Sequence, residues 1–134
     1  MLKSFRIPLT FAAALTALAA TPAAVSAQGE TKVPIALSSF AFTPSTITLV
    51  HGQPYVLELT NTSSGGHNFA APAFFAAARI APTDRAKIGK KGVEVNSGET
   101  VAIHLTAPAA GRYKLRCTHF LHSSFGMNGE IVVS

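Results

Sequence analysis

The sequence predicts an all-β fold: a Greek-key β-sandwich of seven or eight short strands with one short helical insert. Three observations predict it. Short segments alternate apolar and polar residues with a period of two, the mark of strands with one buried face. Gly-, Pro-, Asn- and Ser-bearing turns separate them. A single alanine-rich run, residues 70–78, breaks that rhythm with helix-forming residues. Strands in quick succession with little helix pack as two facing sheets, and we expect them to be antiparallel.

The elements follow in order. Residues 32–39 form a first strand, and Phe40-Ala41-Phe42-Thr43-Pro44 leads into a second over 46–50, where Ile47 and Leu49 alternate with threonines. His51-Gly52-Gln53-Pro54 is a turn. Residues 55–61 place Tyr55, Leu57 and Leu59 on one face and Val56, Glu58 and Thr60 on the other. A polar loop, 62–66, precedes His67. The helical insert covers 70–78, with Pro72 near its first turn. Residues 79–91 read as irregular and basic, and 92–96 as a strand. In 100–106, Val101, Ile103 and Leu105 face inward, while Ala102 and His104 face out. Arg112, Lys114 and Arg116 share one face of the next strand, so Tyr113, Leu115 and Cys117 share the other. Cys117 is thereby placed inward at a strand end. A last strand, 129–134, carries Ile131 and Val133 on one side.

The N-terminus belongs to a separate unit. Lys3 and Arg6 precede an apolar, alanine-rich stretch, and Val25-Ser26-Ala27 offers small residues for cleavage. This pattern predicts a signal peptide, 1–27, removed from a single domain, 28–134. The expected location is the periplasm or outside the cell, with no stable membrane insertion after cleavage. Without Lys3 and Arg6, nine Lys/Arg face six Asp/Glu, a net charge of about +3. Five of the bases fall in 79–91: Arg79, Arg85, Lys87, Lys90 and Lys91. They read as a solvated loop or as a surface that steers an acidic partner. Modest charge without interleaved aromatics excludes a nucleic-acid partner.

Chemistry concentrates in one stretch, Cys117-Thr118-His119-Phe120-Leu121-His122-Ser123-Ser124-Phe125-Gly126-Met127. It holds the only cysteine and the only methionine besides Met1. Four residues separate Cys117 from His122, and four separate His122 from Met127. A thiolate, an imidazole and a thioether on one loop make a soft metal site, and His67 is the candidate for a further imidazole. A lone cysteine in an exported chain also calls for an explanation, and coordination would protect it. Asn61-Thr62-Ser63 matches a glycosylation sequon that nothing in the composition favours.

Gly66-His67-Asn68-Phe69 followed much later by Cys117-x4-His122-x4-Met127 and a final strand resembles the cupredoxins, the small type 1 blue copper proteins such as plastocyanin, azurin and pseudoazurin. Phe40-x-Phe42-x-Pro44 looks like the opening of that family. The resemblance implies one copper ion, cycling between Cu(I) and Cu(II). It implies His67, Cys117 and His122 as equatorial ligands and Met127 as a weak axial ligand. It also implies that the Asn68 N–H approaches the Cys117 sulfur while the Asn68 side chain ties to Thr118. Phe69, Phe120, Leu121 and Phe125 would surround the site. His119, with one residue between it and Cys117, fits neither ligand spacing of the family and is expected at the loop surface. His51 and His104 are expected to be exposed and ordinary.

The function so implied is one-electron transfer by a monomer that meets redox protein partners transiently. With four protein ligands no coordination position stays open, so no enzyme activity is expected. Copper storage, delivery or resistance is the alternative, because the same ligands could serve it. Thiol catalysis by Cys117 is disfavoured by its inward placement and by the lack of an oxyanion loop.

Overall fold

The computed structural model describes residues 29–134. The expected signal peptide lies outside the described residues. Among the described residues are ten strands, β1 to β10: Thr31–Ser38, Ala41–Thr43, Thr46–Leu49, Pro54–Asn61, His67–Phe69, Arg79–Ile80, Val93–Val95, Thr100–Thr106, Gly111–Arg116 and Asn128–Val133. One α-helix among them, α1, spans Pro72–Ala77. The fold is the expected sandwich with a short helical insert. Its strand count exceeds seven or eight because three short extended pieces, β2, β5 and β6, pair as strands of their own.

The first sheet has the order β2-β1-β4-β8-β6, the second β3-β10-β9, and β5 and β7 form a separate pair. The chain crosses between the first and second sheets from β2 to β3, from β3 to β4, and from β8 to β9. Two pairings depart from the antiparallel expectation. β1 runs parallel to β4, with Ile35 beside Leu59, and β3 runs parallel to β10, with Ile47 beside Ile131. The cause is the crossing: between β1 and β4, and between β3 and β10, the chain passes through the other sheet, so no hairpin joins the two paired strands. Alternation of side chains marks the faces of a strand but carries no information about its direction.

The inward residues are those of the alternating pattern. Ile35, Leu37, Ile47, Leu49, Leu57, Leu59, Ile103, Leu105, Leu115, Ile131 and Val133 are all buried in one core. Each such side chain contributes roughly 1.5–3 kcal/mol when fully removed from water. Pro72 opens α1, where its missing N–H costs nothing, and Phe74 and Phe75 are the residues the helix buries. Phe74 packs edge-on against Tyr113 of β9, with ring centroids 5.6 Å apart.

The basic stretch 79–91 is more regular than expected. It contains β6 and a 3-10 helix over Pro82–Lys87. Asp84 organises it. Its carboxylate receives the His104 backbone N–H at 2.8 Å, lies 2.7 Å from the His104 ring Nδ1, and pairs with Lys87 at 2.7 Å. His104 is therefore a structural partner rather than a plain exposed residue. Burial alone would raise the Asp84 pKa, but the bonds from Lys87 and His104 outweigh it and hold the carboxyl at about 2.

Candidate metal centre

Three segments converge at one end of the sandwich: the loop before β5, β7, and the loop that joins β9 to β10. Asn61 prepares the first. As the last residue of β4 it continues the inward series Tyr55, Leu57, Leu59, and it is fully buried. Its side-chain amide donates to the Gly65 carbonyl at 2.7 Å and to the Val95 carbonyl at 2.9 Å, while Ser63 N–H and Oγ–H donate to its Oδ1. The polar loop is thus folded back on its own strand, and His67 enters β5 in a set position. A buried Asn61 makes this sequon inaccessible in the folded chain. The inward period of β4 was the signal in the sequence for this role.

His67 is 3% exposed, Cys117 and Met127 are fully buried, and His122 is half-buried. The Nδ1 atoms of His67 and His122 stand 3.0 Å apart. Cys117 Sγ lies 3.4 Å from His122 Nδ1 and 3.9 Å from His67 Nδ1. Nitrogen and sulfur donors sharing one first-row ion at roughly 2.0–2.3 Å lie roughly 3–4 Å from one another. The spacing of these three donors fits a single ion, and the set of two imidazoles and one thiolate fits copper. Met127 closes the same loop. Its N–H donates to the His122 carbonyl at 3.0 Å, and its carbonyl accepts the Cys117 N–H at 3.1 Å. The positive φ of Gly126, +101°, lets the chain turn back immediately before it.

Burial lowers the His67 pKa, and the neighbouring imidazoles of His122 and His119 lower it further. Both effects favour the neutral ring, the form whose nitrogen lone pair can bind a metal.

Asn68 joins the two loops. Its backbone N–H donates to Cys117 Sγ at 3.5 Å. Its side-chain Oδ1 accepts the Thr118 N–H at 2.8 Å, and its Nδ2 donates to Thr118 Oγ1 at 2.6 Å and to Glu94 Oε1 at 2.9 Å. Glu94 and Asn68 are opposite one another in the β5–β7 ladder. Burial would raise the Glu94 carboxyl, but hydrogen bonds from His119 and Asn68 hold it below the usual carboxylate range. Nothing in the sequence marked Glu94, because the β5–β7 pairing that brings it here is a long-range contact.

The aromatic surroundings divide in two. Phe69 is buried in the core against Phe42 and Phe75. Phe120, Leu121 and Phe125 are exposed, with Phe120 at 88% and Phe125 at 63%. Phe40, from the β1–β2 turn, joins them: its ring meets that of His122 edge-on at 5.3 Å and that of Phe125 at 5.2 Å. Phe40 and Phe125 thus make an apolar edge beside His122, on the loop that also exposes Phe120 and Leu121.

Known structures share this fold. The structure is similar to auracyanin A, a "blue" copper protein from Chloroflexus aurantiacus, with 25% identity, a TM-score of 0.56, and coverage of 79% of this chain and 100% of that one. Reduced auracyanin from Roseiflexus castenholzii is similar at 22% identity, with a TM-score of 0.59, over 80% of this chain and 99% of that one. The McoA multicopper oxidase of Aquifex aeolicus shares the fold at 17% identity and a TM-score of 0.63, over 84% of this chain but only 31% of the oxidase. No curated protein matches the chain by sequence. The cupredoxin-like domain family matches over residues 8–133, nearly the whole length. With a β-sandwich whose final loop brings a cysteine and a histidine against a histidine of β5, the chain belongs to the cupredoxin-like domain family.

Proposed function

We propose that the protein is an exported one-electron carrier with a mononuclear copper centre held by His67, Cys117, His122 and Met127. The observation that supports this most directly is the convergence of the His67, His122 and Cys117 donors within 4.8 Å. Bound copper would supply a Cu(I)/Cu(II) couple. The protein's part is to hold the donors in one geometry for both states. Cys117 and Met127 are tied through their backbones, His67 is fixed at a strand end, and the Asn68 N–H stabilises the thiolate. A scaffold this constrained limits rearrangement when the charge changes.

His122 is half-buried beside Phe40, on a loop whose Phe120, Leu121 and Phe125 are exposed. In our reading electrons pass at this edge, and exposed apolar side chains there support brief docking of redox proteins. Nucleic acid is not a partner in this reading, and the chain works as a monomer in the periplasm or outside the cell after loss of residues 1–27. Four protein donors leave no position for a substrate, so the reading is a carrier and not an enzyme.

Copper storage or delivery is the second reading. It is favoured by a third imidazole beside the donors: the His119 ring centroid lies 5.4 Å from that of His122 and 6.5 Å from that of His67.

Addition of Cu(II) to the purified domain tests the assignment. We expect an intense visible thiolate-to-copper band that Cys117→Ser abolishes and His119→Ala preserves. A protein that retains no copper and leaves Cys117 reactive would overturn it. Copper that stays bound through repeated reduction and reoxidation supports the carrier, and rapid transfer to an acceptor supports delivery.

A further inference from the structure

His119 has no place in the proposed ligand set, yet it is not a free surface residue. Its Nε2 lies 2.9 Å from Glu94 Oε2. The other oxygen of the same carboxylate accepts from Asn68 Nδ2, and Asn68 in turn holds both the N–H and the hydroxyl of Thr118. One carboxylate on a strand thus fastens two consecutive residues of the loop: Thr118 through Asn68, and His119 directly. The His119 ring also rests on the backbone of Gly66, where an added Cβ would come within 3.4 Å of its Cε1.

The rest of the loop has little else to hold it. His122 N–H donates to the His119 carbonyl, Phe125 N–H to Leu121, and Gly126 N–H to Ser123, and Ser123 also accepts from the Asn128 side chain. Among the described residues, and apart from the meeting of His122 with the other donors, the Glu94–His119 contact is the one hydrogen bond from residues 119–126 to the chain beyond the loop and its closing strand β10. Apolar contact with Phe40 is the other tie, through the rings of His122 and Phe125. Local openings occur where few contacts cross, and this loop covers the fully buried Cys117 sulfur.

We propose that Glu94 and His119 form a latch on the Cys117–Met127 loop, positioning residues that set how often the donors open to solvent and so how fast a metal ion is gained or lost. They do this without ligating the ion. The proposal rests on the copper reading for the identity of that ion and on the geometry alone for the opening.

Two measurements separate these. In the metal-free protein, the rate at which Cys117 reacts with an aromatic disulfide reagent reads loop opening without copper. In the copper-loaded protein, the rate of loss to a Cu(I) chelator reads release. We expect Glu94→Ala and His119→Ala each to speed both rates about tenfold. The double variant should be no faster than Glu94→Ala alone, because that change already removes the His119 contact along with the one to Asn68. Glu94→Gln should stay close to the parent, since its amide can accept from Asn68 and donate to His119. The visible band of freshly loaded variants should keep its position. Asp84→Asn, which weakens the fold away from the loop, should leave the thiol rate unchanged. Unchanged rates in both alanine variants, or additive effects in the double, would overturn the latch. So would an equal gain in thiol rate with Asp84→Asn, which would mean that global unfolding exposes Cys117. A domain that retains no copper but shows the expected thiol rates would keep the latch and refute the copper reading.

Discussion

Asn68 and Thr118, fifty residues apart, exchange two hydrogen bonds: Thr118 N–H to Asn68 Oδ1 at 2.8 Å, and Asn68 Nδ2 to Thr118 Oγ1 at 2.6 Å. Asn68 follows His67 and Thr118 follows Cys117. The pair therefore joins the two halves of the donor set one residue away from each. The same asparagine supplies the backbone N–H that faces the sulfur.

Asn68→Ala removes both bonds and leaves the Thr118 N–H without its partner. Two hydrogen bonds at about 0.5–1.5 kcal/mol net each amount to about 1–3 kcal/mol. Urea unfolding of the metal-free domain should show a loss of about that size. The copper-loaded variant should also lose its metal faster, since β5 and the loop are no longer tied.

Asp84 predicts an acid-sensitive contribution to stability. Its folded pKa, about 2, lies below the ordinary value of 3.8. A depressed carboxyl stabilises the fold above its unfolded pKa and loses that contribution as the pH falls through the folded value. The advantage of the parent over Asp84→Asn should be about 2 kcal/mol at pH 7, decline below about pH 4, and vanish near pH 2. Denaturant unfolding of both proteins from pH 7 to pH 2 checks this.

Gly92 precedes β7 with φ at +93°, and a Cβ there would run into the Phe69 carbonyl oxygen. Gly92→Ala is expected to cost about 2 kcal/mol or more, through left-handed backbone strain and displacement of β5. Because β5 carries His67 and Asn68, a thermal scan should show the loss, and the thiol of Cys117 should react faster.

Phe120 and Phe125 make the opposite prediction. Both are exposed, so Phe120→Ser and Phe125→Ser should change stability by no more than about 0.5 kcal/mol. The visible band should be unaffected. Electron self-exchange should slow by about tenfold if this apolar edge is the contact surface, as NMR line broadening of mixed oxidised and reduced protein would measure.

Much of the fold was legible before any tertiary contact was known. Alternation in 46–50, 55–61, 100–106 and 112–117 located the inward faces, and the helix came where Pro72 and the alanines placed it. Less legible were β5 and β6, which are too short to show a period. Strand direction was also hidden, because parallel and antiparallel neighbours bury the same alternating residues. His104 read as an outward residue of β8 and lies there, but its bond to Asp84 depended on how the 3-10 helix folds against the sheet. Asn61 read as a sequon and proved to be the buried anchor of the His67 loop.

By itself the sequence determined the donor types, their spacing on the final loop and the inward placement of Cys117. These are local properties: residue identity, a period of two, and a turn length. Tertiary structure decided the rest. It set His67 Nδ1 3.0 Å from His122 Nδ1, brought Phe40 beside His122, and placed Glu94 between Asn68 and His119. Each of these joins distant segments through strand pairings and loop packing that no local pattern encodes. His119 is the clearest case: its spacing from Cys117 only set it apart from the candidate ligands, and the β5–β7 ladder gave it a partner.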